Sequence, residues 1–206
     1  MIDFIAVFIT FFAVIDPVGT VPVFIAVTEK YDAKTKRRIA LLATLVSAAV
    51  LIFFVVIGEI ILKALSIPLP AFQISGGIVL FLFSLSMIFG DSKPEEELKL
   101  FVKSDKQTAI YPIAVPSIAS PGAILTAVLL TENAIFSIWE QLQTVLVMLL
   151  VLIVVYVLML LSGYISKVIG SSGASVISRV MGLILSAIAT TNILTGVTEY
   201  FKLVSV

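Results

Sequence analysis

Two short segments of the chain combine residue types that can bind a small ligand inside a membrane. Residues 16–22 read DPVGTVP and residues 116–122 read PSIASPG. Each segment contains a helix-capping residue followed by proline, Asp16 in the first and Ser120 in the second. An Asp or Ser side chain accepts hydrogen bonds from the free N–H groups at a helix start, and proline is favoured at the first helical position. Each segment therefore predicts a helix that begins in the middle of an apolar stretch.

Helix ends inside a membrane can recognise a ligand through the backbone. Free N–H groups at a helix start attract negative charge, and free carbonyls at a helix end attract positive charge. Two such breaks that face each other would suit a small zwitterion. We expect Gly19 and Gly122 to permit close approach of the backbone, and Thr20 and Ser117 to offer hydroxyl contacts. The predicted substrate-binding residues are Asp16, Gly19, Thr20, Ser117, Ser120, Pro121 and Gly122.

Asp16 is the one carboxylate near the centre of a predicted membrane span. A charged Asp at that depth costs roughly 2.5–3.5 kcal/mol on insertion scales, so something must offset the cost. One interpretation makes Asp16 a coupling site for a proton or a sodium ion. The other makes it only a helix cap, a role that Ser120 fills without charge. The residues alone leave both interpretations open.

The composition predicts an all-α membrane protein that forms one transmembrane domain over residues 1–206. Of its residues 60% are hydrophobic and 13% are charged, which is outside the usual range of soluble domains. Six apolar stretches have about the ~20 residues that cross a bilayer. They lie near 2–28, 39–62, 69–90, 109–131, 141–165 and 176–200.

The residue types that are missing exclude several functions. The sequence has no Cys and no His, and with no paired carboxylates at depth it predicts neither an enzyme nor a metal site. It has no phosphate-binding loop motif, so it predicts no ATPase. Its net charge is zero, which predicts no nucleic-acid partner. We expect no cofactor beyond a coupling proton or sodium ion.

Basic residues fall almost entirely on alternate connections between the predicted spans. Eleven of the 13 lie in the first, third and fifth connections, and Lys63 and Lys202 are the exceptions. The positive-inside rule then places those connections in the cytoplasm and both termini outside the cytoplasmic membrane. The third connection, 91–108, mixes acids with lysines. It is either a regulatory loop or a solvated connector.

The two halves of the chain resemble each other at an offset of about 105 residues. Gly58 corresponds to Gly163 and Gly77 to Gly182, and the two breaks correspond with a small shift. Three spans per half, about 1–100 and 106–206, predict an inverted repeat, because successive halves enter the membrane from opposite sides. The broken first and fourth spans would then meet at the bilayer midplane.

A polar cluster in the sixth span either lines the pathway or bonds between helices; its members are Thr190, Thr191, Asn192 and Thr195.

Four motifs in this order resemble the MarC family of six-span membrane proteins, within the wider LysE superfamily. They are DPVGTVPVF (16–24), FQISGGIVLF (72–81), PIAVPSIASPGAI (112–124) and RVMGLILSAIAT (179–190). The resemblance covers nearly the whole chain. The MarC family includes SnatA-like transporters of small neutral amino acids such as glycine and alanine. Many relatives have Asn before the first proline, whereas this chain has Asp16.

The resemblance implies a secondary transporter of glycine, alanine or serine, with alternating access around the two breaks and with or without ion coupling. Its partners would be that small-molecule substrate and the lipid bilayer. One alternative is an exporter of other metabolites or drugs on the same fold. A second alternative is a membrane scaffold or stress protein that transports nothing and uses Asp16 only as a cap. The sequence leaves the oligomeric state open.

Overall fold

The computed structural model describes residues 2–89 and 108–204. Within those two ranges every regular element is a helix, so the predicted all-α class is confirmed for the described residues. The predicted loop 91–108 lies, apart from its last residue, outside them. In chain order the elements are α1 (Phe4–Ile15), α2 (Pro17–Thr28), α3 (Ala33–Ala64), α4 (Leu69–Phe89), a π-helix (Ala109–Ile118), α5 (Pro121–Leu129) and α6 (Ile138–Val204).

Five helical stretches in the described residues are long and apolar enough to cross a membrane. They are Phe4–Thr28, Ala33–Ala64, Leu69–Phe89, Ile138–Ile165 and Ser175–Lys202. They match five of the six predicted spans. The predicted fourth span, 109–131, is not among them, because its π-helix and α5 have only 10 and 9 residues. The predicted fourth span, and with it the total of six spans, stays a prediction.

Helix α3 begins at Ala33, well before its apolar part. The side chain of Asp32 accepts hydrogen bonds from the backbone N–H groups of Lys34 and Thr35, and this cap starts the helix. The hydrogen bond from Thr35 holds the pKa of the Asp32 carboxyl below its usual value. Hydropathy alone missed this first part of the helix because it is charged.

Helix α6 spans 67 residues and contains both of the last two predicted spans. A straight helix of that length would be about 100 Å long. Glu199, near its end, nevertheless repels the carboxylate of Glu132, which lies six residues before its start. The element must therefore reverse direction between its two apolar stretches. Residues 166–174, between the two stretches, carry no proline to end the helix.

The buried core collects around the breaks at residues 16 and 120. Helix α4 crosses α5, since Gly76 meets Leu125 and Gly122 meets Leu80. The largest fully buried side chains come from α1, α2, α3, α4, the π-helix, α5 and α6. They include Phe11, Ile15, Phe24, Ile39, Leu80, Ile113, Ile118, Leu125, Met148 and Leu152. The elements that carry the predicted site are therefore held by tight packing on several sides.

Candidate functional site

Asp16 joins α1 to α2 and caps both helices. Its backbone is left-handed (φ 49°, ψ 68°), a conformation that Asp tolerates better than most residues. Its N–H donates to the carbonyl of Phe12 at 3.1 Å, which closes α1. Its Oδ1 accepts from the N–H of Gly19 at 2.9 Å, which starts α2 with Pro17 at the first position. The side chain is only 5% exposed, so the carboxylate sits inside the protein.

The hydroxyl of Thr20 connects the first segment to the second. Thr20 Oγ1 donates to the carbonyl of Asp16 at 3.0 Å and lies 3.3 Å from Ser117 Oγ, with either hydroxyl able to donate. Thr20 is fully buried and Ser117 is half-buried. Two residues that the sequence predicted for one site, separated by 97 positions, are therefore within hydrogen-bond distance.

Ser120 caps α5 and also binds the end of α1. Its Oγ accepts from the N–H of Ala123 at 3.1 Å and donates to the carbonyl of Val14 at 2.9 Å. The side chain is 1% exposed. One hydroxyl thus satisfies a free N–H at a helix start and a free carbonyl at another helix end, groups that would be costly to bury without partners. The two breaks are in direct contact through this side chain.

The chain that leads into the second break is irregular. Tyr111 and Val115 have extended backbones inside the π-helix, and each precedes a proline, which disfavours the helical conformation of the residue before it. The Tyr111–Pro112 peptide bond is cis. The carbonyl of Ala114 accepts from the N–H of Ala119 at 2.8 Å and from Ser47 Oγ of α3 at 3.3 Å. Helix α3 therefore supports this backbone from outside the segment.

Gly19 and Gly122 face protein atoms where we predicted a ligand. A Cβ at Gly19 would overlap the Asp16 carboxylate, and a Cβ at Gly122 would overlap the side chain of Leu80. Gly19 thus makes room for the cap, and Gly122 makes room for α4. Their predicted contact with substrate stays a prediction. Pro121, next to Gly122, is exposed.

Two members of the polar cluster in the sixth predicted span bond within their own helix. The hydroxyls of Thr190 and Thr191 donate to the carbonyls of Ser186 and Ala187, and both residues are exposed.

Sequence reasoning missed Val14, whose contribution to the site is a backbone carbonyl that no residue type reveals. It also missed Ser47, whose hydroxyl reaches the carbonyl of Ala114 in the π-helix.

The site combines one carboxylate with the ends of three helices. In the described residues no group of three or more Asp and Glu side chains could hold a metal ion. The N–H groups that start α2 and α5 are both near the carbonyl end of α1, at Asp16 and Ser120. An arrangement of this kind can bind polar groups without a cofactor.

The family model described as "MarC family integral membrane protein" matches residues 1–201. The chain belongs to the MarC family. It is similar to the UPF0056 membrane protein MJ1677 of Methanocaldococcus jannaschii, with 36% identity over 94% of this chain and 95% of the relative. It is also similar to YvbG of Bacillus subtilis, with 31% identity over 97% and 96%, and to a relative from Aquifex aeolicus, with 30% identity over 97% and 94%. No solved structure matches the chain.

Membership of the MarC family makes this chain a multi-pass integral membrane protein. The names of its relatives state only that they are membrane proteins, so they bring no substrate with them. Membership of the family does account for the apolar side chains that are exposed on the surface of the protein. Leu45 and Val56 of α3 are 57% and 62% exposed, a pattern expected of an integral membrane protein.

Proposed function

We propose that the protein is a secondary transporter of small neutral amino acids in the cytoplasmic membrane. Its site lies between the two breaks, near the bilayer midplane, and opens alternately to each side. The observation that carries the proposal is the contact between the breaks. Ser120 bonds to the carbonyl of Val14, and Thr20 lies 3.3 Å from Ser117.

Contacts between α4 and α6 support the proposed inverted repeat. A Cβ at Gly77 would meet Ile193 Cγ1 at 2.8 Å and the Ala189 carbonyl at 3.1 Å. A Cβ at Gly182 would meet Ile88 Cγ1 at 2.8 Å and the Ser84 carbonyl at 2.9 Å. Each residue in the contact of Gly77 lies 105 positions from the residue that plays the same part in the contact of Gly182. The offset that the sequence predicted therefore recurs as a two-fold arrangement of helix contacts; the pairs are Gly77 with Gly182, Ser84 with Ala189, and Ile88 with Ile193.

Contacts between the connections support the proposed grouping of alternate connections at one end of the molecule. The hydroxyl of Tyr31, in the first connection, lies 3.4 Å from Thr108 Oγ1, just before the π-helix. Glu59, near the far end of α3, accepts hydrogen bonds from Asn133 after α5. Alternate connections thus meet at the same end of the molecule, as the proposed six-span topology requires.

The two breaks offer different chemistry to a zwitterion. Asp16 places a carboxylate at the start of α2, which favours the ammonium group of an amino acid. The start of α5 has only a neutral cap, Ser120, so its N–H groups are the better partner for the substrate carboxylate. The substrate class itself, glycine, alanine or serine, comes from the family resemblance. A coupling role of Asp16 with a proton or sodium ion is part of the proposal.

One observation favours the alternative of a membrane protein without transport. Asp16 already caps α2 through Gly19, and that alternative requires Asp16 to be locked as a cap. The proposal differs, because it requires the Asp16 carboxylate to exchange this bond for a substrate ammonium group.

Uptake of radiolabelled glycine and alanine into liposomes that hold the purified protein tests the proposal. We expect saturable uptake by the wild type and strongly reduced uptake by the Thr20→Val/Ser117→Ala variant. Ser75→Ala is the matched control, because its exposed hydroxyl bonds only to Phe72 of its own helix. An absence of uptake by folded wild-type protein, with and without a proton gradient, would contradict the proposal.

A further inference from the structure

One face of α3 is exposed from Leu41 to Val56. Leu41, Leu45, Ile52 and Val56 are 47%, 57%, 37% and 62% exposed. At 100° per residue these positions fall within about 60° of one another around the helix. In an integral membrane protein this apolar stripe, Leu41–Val56, lies against acyl chains.

Three basic residues continue the same face beyond the apolar stripe. Lys34, Arg37 and Arg38 are all exposed, and helical geometry places each within about 60° of Leu41. Lys36 is half-buried and lies about 140° away from Leu41, on another face. The charges of Lys34, Arg37 and Arg38 therefore stand directly above the lipid-facing stripe.

The helix itself gives these charges little compensation. Lys34 lies in the first turn, where a cation opposes the helix dipole, and the one carboxylate at this helix start, Asp32, accepts hydrogen bonds from the backbone of Lys34 and Thr35. Within residues 2–89 and 108–204, Lys34, Arg37 and Arg38 form no ion pair. Their position is explained if their partner is an anion outside the helix.

We propose that Lys34, Arg37 and Arg38 bind the phosphate of an anionic phospholipid whose acyl chain lies along Leu41 and Leu45. The length of the site fits a phospholipid. One leaflet has about 15 Å of hydrocarbon, which corresponds to about ten helical residues after Arg38, and Leu41 and Leu45 lie within that stretch. Basic residues next to a membrane span attract anionic lipids. The stripe below them supplies the apolar half of the same site.

Native mass spectrometry of the detergent-solubilised protein tests this site. The protein is titrated with dioleoylphosphatidylglycerol or with dioleoylphosphatidylcholine, which has the same acyl chains. We expect the wild type to retain the anionic lipid preferentially, and Lys34→Gln to weaken its binding roughly fivefold. The triple variant Lys34→Gln/Arg37→Gln/Arg38→Gln should lose the preference altogether.

Lys36→Gln is the matched control, since it removes the same charge two residues away on another face. It should leave binding of phosphatidylglycerol nearly unchanged. Glycerol 3-phosphate, the free headgroup, should not displace the bound lipid, because it lacks the acyl chain. Equal effects of Lys34→Gln and Lys36→Gln, or full retention by the triple variant, would overturn the proposal.

Discussion

The two breaks solve the same structural problem with different chemistry. At the first break, the acidic residue Asp16 turns the chain within one residue through a left-handed backbone. At the second break, neutral Ser120 is extended and follows an irregular π-helix. The hydrogen bonds of Asp16 to Phe12, Gly19 and Thr20 are local in sequence. The hydroxyl of Ser120, by contrast, reaches the carbonyl of Val14, 106 residues away.

This difference separates a turn that local hydrogen bonds of Asp16 cap from one whose cap also bonds to the other half of the chain. The first break carries an ionisable group, which the second break lacks. The second break is completed only when α1 lies against α5 and α3 lies against the π-helix. We therefore expect changes at Ser120 to affect assembly of the fold, and changes at Asp16 to affect function more than stability.

Ser120→Ala should have the largest effect on stability. It removes the cap of α5 and leaves the buried carbonyl of Val14 without its donor. A lost cap and a buried unsatisfied group together cost about 2–4 kcal/mol. Thermal unfolding in detergent measures the loss as a lower apparent Tm. Ser86→Ala is the control, because its exposed hydroxyl bonds within α4, and equal losses for both variants would remove the distinction between the breaks.

Gly19→Ala should be the next most harmful change. The new methyl group overlaps the Asp16 carboxylate, so the cap must move, at a cost of about 1–3 kcal/mol. Gly163 has nothing within 4 Å of the corresponding position. Gly163→Ala should therefore be neutral or stabilise the helix by up to about 1 kcal/mol. Comparison of the two apparent Tm values checks the prediction, which fails if Gly19→Ala is as mild as Gly163→Ala.

Asp16→Asn should change stability little and transport strongly. Asn caps helices as well as Asp does and tolerates the left-handed backbone, so we expect a change below about 1 kcal/mol. If Asp16 couples transport to protons, the variant loses the stimulation of uptake by a proton gradient in liposomes. Undiminished stimulation in the variant would assign Asp16 to the capping role alone.

The positions of both helix starts could be predicted from the sequence because their determinants are local. Asp16 and Ser120 do cap α2 and α5 as their Asp-Pro and Ser-Pro pairs indicated. The bond from Ser120 to Val14 could not be predicted, since a backbone carbonyl leaves no trace in residue type. The protein atoms beside the two glycines could not be predicted for a related reason. A glycine signals that something approaches closely, and only the fold shows that the neighbours are Asp16 and Leu80.

The carboxylates that follow each break extend the comparison, and they predict opposite responses to pH. After α2, the pKa of Asp32 is lowered by its hydrogen bond from Thr35. After α5, the pKa of Glu132 is raised above its ordinary value of 4.5 by burial and by repulsion from Glu59 and Glu199. Between 4.5 and its raised pKa, Glu132 holds its proton more tightly in the folded state than in the unfolded state. Its contribution to stability therefore falls as pH rises through that window.

Glu132→Gln removes this penalty and should produce the smallest of these effects. Because the carboxyl is only partly buried and its interactions are screened by water, we expect the apparent Tm at neutral pH to rise by about 1 °C. Below pH 4.5 the variant and the wild type should coincide, since both side chains are then neutral.

Asp32→Asn should respond in the opposite direction. Its stabilising carboxylate is lost at neutral pH, and the difference from wild type should shrink as pH falls toward the lowered pKa of Asp32. Apparent Tm measured from pH 3.5 to 8 separates the two, and equal responses would show that the surroundings of these carboxylates do not differ as their contacts indicate.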